Sequence, residues 1–204
     1  MNNVFEEIYE RNLWGFGSGH GSLPSVTKGY RAYLQQFMEL NNVKSVVDYG
    51  CGDWQFSKYV DWSNIDYTGV EVVKSLVDAN NKQYSSDNIS FMQSPADPAK
   101  LPKADLLIVK DVLQHLSRQD ITRFIDRALS KYTFALITSN VIPADIVNMD
   151  IKTGEFRPLD LRLPPFNVKM TAVYSLGRNR KTYSIRNRQA FEPWKEVVLL
   201  YRAS

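Results

Sequence analysis

Apolar residues along this chain follow two spacings in alternation. Short, largely apolar runs fall at 45–48, 89–92, 104–110, 132–139 and 197–201, several of them rich in Val and Ile, and 66–71 reads as a further strand ending in an acid. Such runs read as strands buried on both faces. Between them lie stretches whose apolar residues recur three and four positions apart, the spacing of an amphipathic helix. These cover 4–13, then a helix opened by Pro24 and Thr27 with Val26, Tyr30, Tyr33, Leu34, Phe37 and Met38 on one side, then 73–84 and 119–130, with a short helix at 54–60. Strand, helix and strand in alternation predict parallel strands joined by right-handed crossovers. The fold class expected is therefore α/β, a doubly wound and mostly parallel sheet. Residues 170–176 or 181–186 would pair with 197–201 to finish a seven-stranded sheet, the last strand antiparallel.

Two stretches break this rhythm. Residues 14–22 carry Gly15, Gly17, Gly19 and Gly21 directly after Trp14, which excludes a helix. The Trp and Phe inside the stretch point to a loop folded onto something apolar, a lid rather than a plain connector. Residues 141–167 hold Pro143, Pro158, Pro164 and Pro165 with little periodicity, yet mix apolar and charged residues as disordered segments do not. One domain over 1–204 is expected: N-terminal helices and lid over 1–43, a ligand-binding core over 44–140, and a long loop with terminal antiparallel strands over 141–204.

Composition narrows the function. The 204 residues are 44% hydrophobic, which suits one globular core. No run approaches the roughly twenty apolar residues of a membrane span, and 1–7 lack the basic and apolar regions of a secretion signal, so a cytoplasmic location is expected. Cys51 alone allows no intrachain disulfide, and with His20 and His115 as the only histidines a metal site is disfavoured. The net charge of +3 hides an asymmetry, since 151–204 hold 11 Lys or Arg against 4 Asp or Glu. The excess gathers at Arg178, Arg180, Lys181, Arg186 and Arg188, either a solvated face or a contact for an anionic partner.

The chemistry concentrates at Val47-Asp48-Tyr49-Gly50-Cys51-Gly52, a strand that ends in an acid and a glycine pair, where backbone can approach a ligand closely. About twenty residues on, Val70-Glu71 ends a second strand in a carboxylate, the spacing of a ribose-binding acid. A dinucleotide would place its pyrophosphate at this bend, but Asp48 and Asp53 flank it and Gln55 stands where a third glycine would fall. A cationic ligand suits it better. These two segments resemble motifs I and II of class I S-adenosylmethionine (SAM)-dependent methyltransferases, over roughly 44–140. The resemblance implies SAM as cofactor, held by Asp48, Gly50, Gly52, Asp53 and Trp54 at the first bend, Glu71 and Val72 at the second, Asp97 after the third strand and Lys110 at the end of the fourth.

Asp111-Val112-Leu113-Gln114-His115-Leu116 resembles the segment after the fourth strand in many small-molecule methyltransferases. His115 is its one side chain with an ordinary pKa suited to proton transfer near neutrality. His115 and Asp111 are the catalytic candidates. Trp14 of the lid, Tyr30, and the loop residues Arg157 and Asp160 are candidates for binding the acceptor, expected to be a small polar molecule such as a sugar or metabolite hydroxyl, anionic if the arginine is used. Protein or nucleic-acid methylation, an NAD-binding domain and a non-catalytic SAM binder stand as alternatives. The Asn-Pro-Pro-Tyr-like tetrad of base-amino methylases is missing after the fourth strand, which argues against a nucleic-acid partner.

Overall fold

The computed structural model describes residues 2–141, 147–176 and 194–202. Strands β1 (Ser45–Tyr49), β2 (Asp66–Glu71), β3 (Ile89–Gln93), β4 (Leu106–Lys110), β5 (Phe134–Val141), β6 (Thr171–Leu176) and β7 (Trp194–Tyr201) form one sheet in the order β3-β2-β1-β4-β5-β7-β6. The first five run parallel, and β7 inserts antiparallel between β5 and β6. This is the doubly wound, mostly parallel seven-stranded architecture expected from the sequence. Of the two candidate partners for the last strand, 171–176 is the one used. The alternative at 181–186, the basic cluster at 178–188 and Pro143 lie outside the described residues.

The sheet separates two apolar layers, as strand alternation requires. Val47, Leu107, Ala135 and Ile137 face α1 (Asn2–Glu10) and α4 (Arg118–Arg127), meeting Phe5, Ile8, Ile121 and Phe124. Val46, Leu106, Ile108 and Leu136 face α2 (Lys28–Leu40) and α3 (Lys74–Tyr84), meeting Tyr30, Leu34, Met38 and Val77. β4 is buried along its whole length, and each of its large side chains contributes roughly 1.5–3 kcal/mol by leaving water. The register between β1 and β4 is held at their base by the Asp105 carboxylate, which accepts from the amides of Lys44 at 2.8 Å and Ser45 at 2.9 Å.

Three boundaries differ from the periodic reading. The helix expected at 54–60 is a single 3-10 turn, Ser57–Tyr59. Trp54 adopts a left-handed φ of 57° that interrupts any helix, and it is buried against Tyr67, Tyr84 and Phe91 with its indole N–H donating to the Tyr67 hydroxyl. Burial of the Trp54 ring sets the backbone here. The helix expected at 119–130 starts earlier, capped by Ser117 accepting from the Asp120 amide, and gives way after Arg127 to a tighter turn at Leu129–Lys131. The first helix stops at Glu10, and Asn12 turns the chain at φ 50°.

The strand order reverses between β2-β1 and β4-β5. A crevice opens beyond the carboxyl ends of β1 and β4, the place where sheets of this kind bind ligands.

Candidate active site

The bend after β1 is built from backbone and two carboxylates. Gly50 and Gly52 have φ of 76° and 58°, and a Cβ on Gly50 would collide with the Val112 side chain, so only glycine fits that position. The Gly50 amide donates to the Val70 carbonyl at 2.7 Å, joining the bend to the end of β2. Glu71 completes the join: one of its oxygens accepts from the Gly52 amide at 3.0 Å, the other from the amides of Val72 at 2.7 Å and Val73 at 3.1 Å. Burial pushes the Glu71 carboxyl above its ordinary range against those three donors. Asp48, 1% exposed, accepts from Tyr67 at 2.7 Å and Ser57 at 3.2 Å, and burial raises it to about 6 despite these bonds and the nearby Lys110. Two desolvated carboxylates facing one crevice favour a cation and disfavour a diphosphate.

The glycine-rich loop lies over this bend. Ser18 donates its hydroxyl to Asp53 at 2.6 Å and accepts from the Asp53 amide at 3.1 Å. Tyr9 of α1 shares a 2.8 Å hydrogen bond with the same Ser18 hydroxyl. Gln55 donates to the carbonyl of Phe16, and Lys110 donates to the carbonyl of Gly21 at 3.0 Å. The loop is thus tied down at both ends by side chains of the crevice.

At the end of β4, Asp111 sits at a left-handed φ of 57° between two lysines, Lys110 at 2.7 Å and Lys195 of β7 at 2.5 Å. Burial alone would raise Asp111, but the two ammonium groups outweigh it and hold the carboxyl at about 2. A carboxylate that acidic takes no proton at neutral pH, so Asp111 anchors the lysines and is a poor base. His115 differs. Its Nδ1 lies 3.0 Å from the carbonyl of Glu155. A carbonyl only accepts, so Nδ1 carries the proton and Nε2 keeps a lone pair. Burial moves the imidazole below its ordinary pKa, which keeps it unprotonated near neutrality.

One crevice collects much of what the sequence singled out: Trp14, Asp48, Gly50, Glu71, Val72, Lys110, Asp111 and His115 line it. Gly52 and Asp53 stand just behind, engaged with Glu71 and Ser18. The other candidates point elsewhere. Trp54 and Tyr30 are buried in the layer beneath the sheet. Asp97 caps the Ala99 amide and pairs with Arg127 at 2.7 and 2.8 Å, the bonds to that guanidinium lowering its carboxyl to about 2. Asp160 is paired with Arg162 at 2.7 and 2.8 Å. Arg157 is 3% exposed and donates to the Leu116 carbonyl at 2.6 Å, behind the His115 segment and outside the crevice lining.

Four contributors escaped the sequence reading. Tyr9 and Ser18 reach the bend from the N-terminal segment, Ser94 lines the crevice where an acid was sought, and Lys195 arrives from β7. Only Ser94 carried a local signal, since it directly follows the third strand. Among the described residues no cluster of His, Cys, Asp and Glu could hold a metal ion, and no helix is long and apolar enough to cross a membrane.

Residues 47–137 match the family model described as a methyltransferase domain. With the fold and the crevice above, this match reads residues 47–137 as a methyltransferase domain, consistent with the class I, SAM-dependent type. SAM is the cofactor of that class, and the paired buried carboxylates of the bend fit its positive charge.

Solved structures share the fold at low identity. Magnesium protoporphyrin IX methyltransferase from Synechocystis PCC 6803 aligns over 100% of both chains at 13% identity with a TM-score of 0.62. TehB from Haemophilus influenzae aligns over 89% of this chain and 67% of its own at 14% identity, TM-score 0.56. The mitomycin 7-O-methyltransferase MmcR covers 87% of this chain and 55% of its own at 14% identity, TM-score 0.58. No curated protein matches the chain by sequence.

Proposed function

We propose that this enzyme transfers a methyl group from SAM to a hydroxyl of a small molecule, with His115 as the general base. SAM supplies a methyl already activated on a sulfonium; as the acceptor oxygen bonds to that carbon, the carbon–sulfur bond breaks and sulfur keeps its electron pair. What is asked of the protein is alignment, exclusion of water and removal of one proton. In this reading Glu71, which closes the bend around Gly52, takes the ribose diol, and Asp48 faces the positive end of the donor. The loop at 14–22, tied through Ser18, Phe16 and Gly21, acts as a lid that keeps water out.

The observation that carries this reading is the 3.0 Å contact between His115 Nδ1 and the Glu155 carbonyl. It leaves Nε2 of a crevice-lining imidazole as the proton acceptor, and the proton passes from the acceptor hydroxyl to that nitrogen and then to water. Arg157, donating to the Leu116 carbonyl one residue from His115, is a positioning residue in this scheme. A cytoplasmic setting is part of the proposal and suits a chain whose single cysteine is buried in the bend. The test is His115→Ala: turnover should fall at least about a hundredfold while calorimetry shows unchanged affinity for SAM. Unchanged turnover would remove His115 from the chemistry.

A further inference from the structure

We propose that the acceptor is a planar aromatic hydroxyl, seated against the rings of Trp14 and His115 that line the crevice, with Phe156 beside the same imidazole. The inference rests on the methyl-transfer reading above and goes beyond it by naming the substrate class. It departs from the sugar or anionic metabolite that the sequence suggested.

His115 adjoins both other rings. The Trp14 indole lies 5.0 Å from the His115 ring at 38°, and Phe156 lies 5.7 Å from the same imidazole at 52°. Behind Trp14 stand Tyr9 at 5.5 Å and Phe5 at 6.1 Å. Phe156, beside the His115 ring, is 49% exposed, so apolar surface is left open next to the base. Exposed aromatic area beside a catalytic candidate is costly to leave in water and is what a flat apolar ligand would cover.

The polar atoms argue the same way from the other side. A polyol needs several unengaged donors and acceptors, but the hydroxyls of Tyr9 and Ser18 are committed to each other and to Asp53, and Ser22 donates to the Ser18 carbonyl at 3.2 Å. Among the described residues the cations beside the crevice already have partners: Lys110 and Lys195 both contact Asp111, Lys110 also donates to the Gly21 carbonyl, and Arg157 is buried behind the lining. Acidity completes the argument. A phenolic hydroxyl ionises near pH 10, as tyrosine does, whereas an aliphatic one lies close to water at about 16. An imidazole shifted downward by burial is better matched to the first.

The test uses the full chain with S-adenosylhomocysteine at saturation and three probes: 2-naphthol, methyl glucoside and inorganic phosphate. Calorimetry should show saturable naphthol binding and none for the other two. Phe156→Ala, at a half-exposed position that should not disturb folding, should weaken naphthol by about two- to tenfold, the size of one aromatic contact, and leave S-adenosylhomocysteine affinity unchanged. Trp14→Ala should weaken it at least as much. The proposal is overturned if naphthol fails to bind while S-adenosylhomocysteine does, if both variants bind it as well as the parent, or if glucoside or phosphate competes for the site. Failure of S-adenosylhomocysteine itself to bind would overturn the methyl-transfer reading and this inference with it.

Discussion

The carbonyl of Glu155 lies 3.0 Å from Nδ1 of His115, across forty residues of sequence. The contact joins the long loop after β5 to the turn after β4. It is reinforced by the Gly154 amide donating to the His115 carbonyl at 2.8 Å and by the Ser117 amide donating to Thr153 at 3.0 Å. The loop thus orients the imidazole from behind while the crevice faces its other side.

His115 sets the acid limb of activity. A base works only unprotonated, and burial lowers this imidazole. The rate should therefore stay high below pH 6.5 and fall only at a lower pH, measured as kcat against pH for the parent enzyme. A limb above the ordinary histidine value would contradict the buried setting.

Arg157 should act through His115 rather than on the acceptor. Its guanidinium donates to the Leu116 carbonyl at 2.6 Å, while its Nε and second terminal nitrogen, both buried, have no hydrogen-bond partner. Arg157→Ala should lower kcat and shift the acid limb of the pH profile while leaving KM for the acceptor within about twofold, and Arg157→Lys should restore part of the rate. A rise in KM alone would return Arg157 to the acceptor site.

Donor affinity should depend on pH through Asp48. Burial raises this carboxyl to about 6, and Glu71 is raised in the same direction. A cationic donor binds the ionised crevice, so the dissociation constant for SAM should be flat near pH 8 and weaken as pH falls through about 6, by up to about tenfold per unit for one proton. Asp48→Asn should flatten that part of the curve. Calorimetry across pH 5 to 8 checks both.

Ser18 joins the lid to two crevice-side partners at once. Ser18→Ala removes the 2.6 Å bond to Asp53 and the 2.8 Å bond to Tyr9 together. Hydrogen exchange of the amides at 14–22 should accelerate, and uncoupled hydrolysis or slower turnover should follow as water enters. Exchange identical to the parent would show that other contacts hold the loop.

What could be read from sequence was local. The glycine bend, Glu71 and the β1 to β5 order follow from apolar runs and turn residues within a few positions of each other. What could not be read depends on which distant residue arrives as partner. Asp53 looked like a cofactor acid and is bound to Ser18, 35 residues away. Asp97 looked like an adenine-binding acid and is taken by Arg127 of α4. Lys195 reaches Asp111 over 84 residues through the antiparallel insertion of β7, which no periodicity announces. Trp54 shows the same limit in the backbone, because its left-handed turn accompanies burial against Tyr67, a tertiary event that local spacing does not announce.

The central claim is that the acid-lined bend after β1 receives a positively charged adenosyl donor. Titration of the full chain with SAM and, separately, with NAD measures it directly, with Glu71→Ala as the control for site. Saturable SAM binding that weakens at least about tenfold in Glu71→Ala, with no NAD binding, is the predicted result. Binding of NAD in the absence of any SAM binding, or SAM affinity untouched by Glu71→Ala, would contradict it.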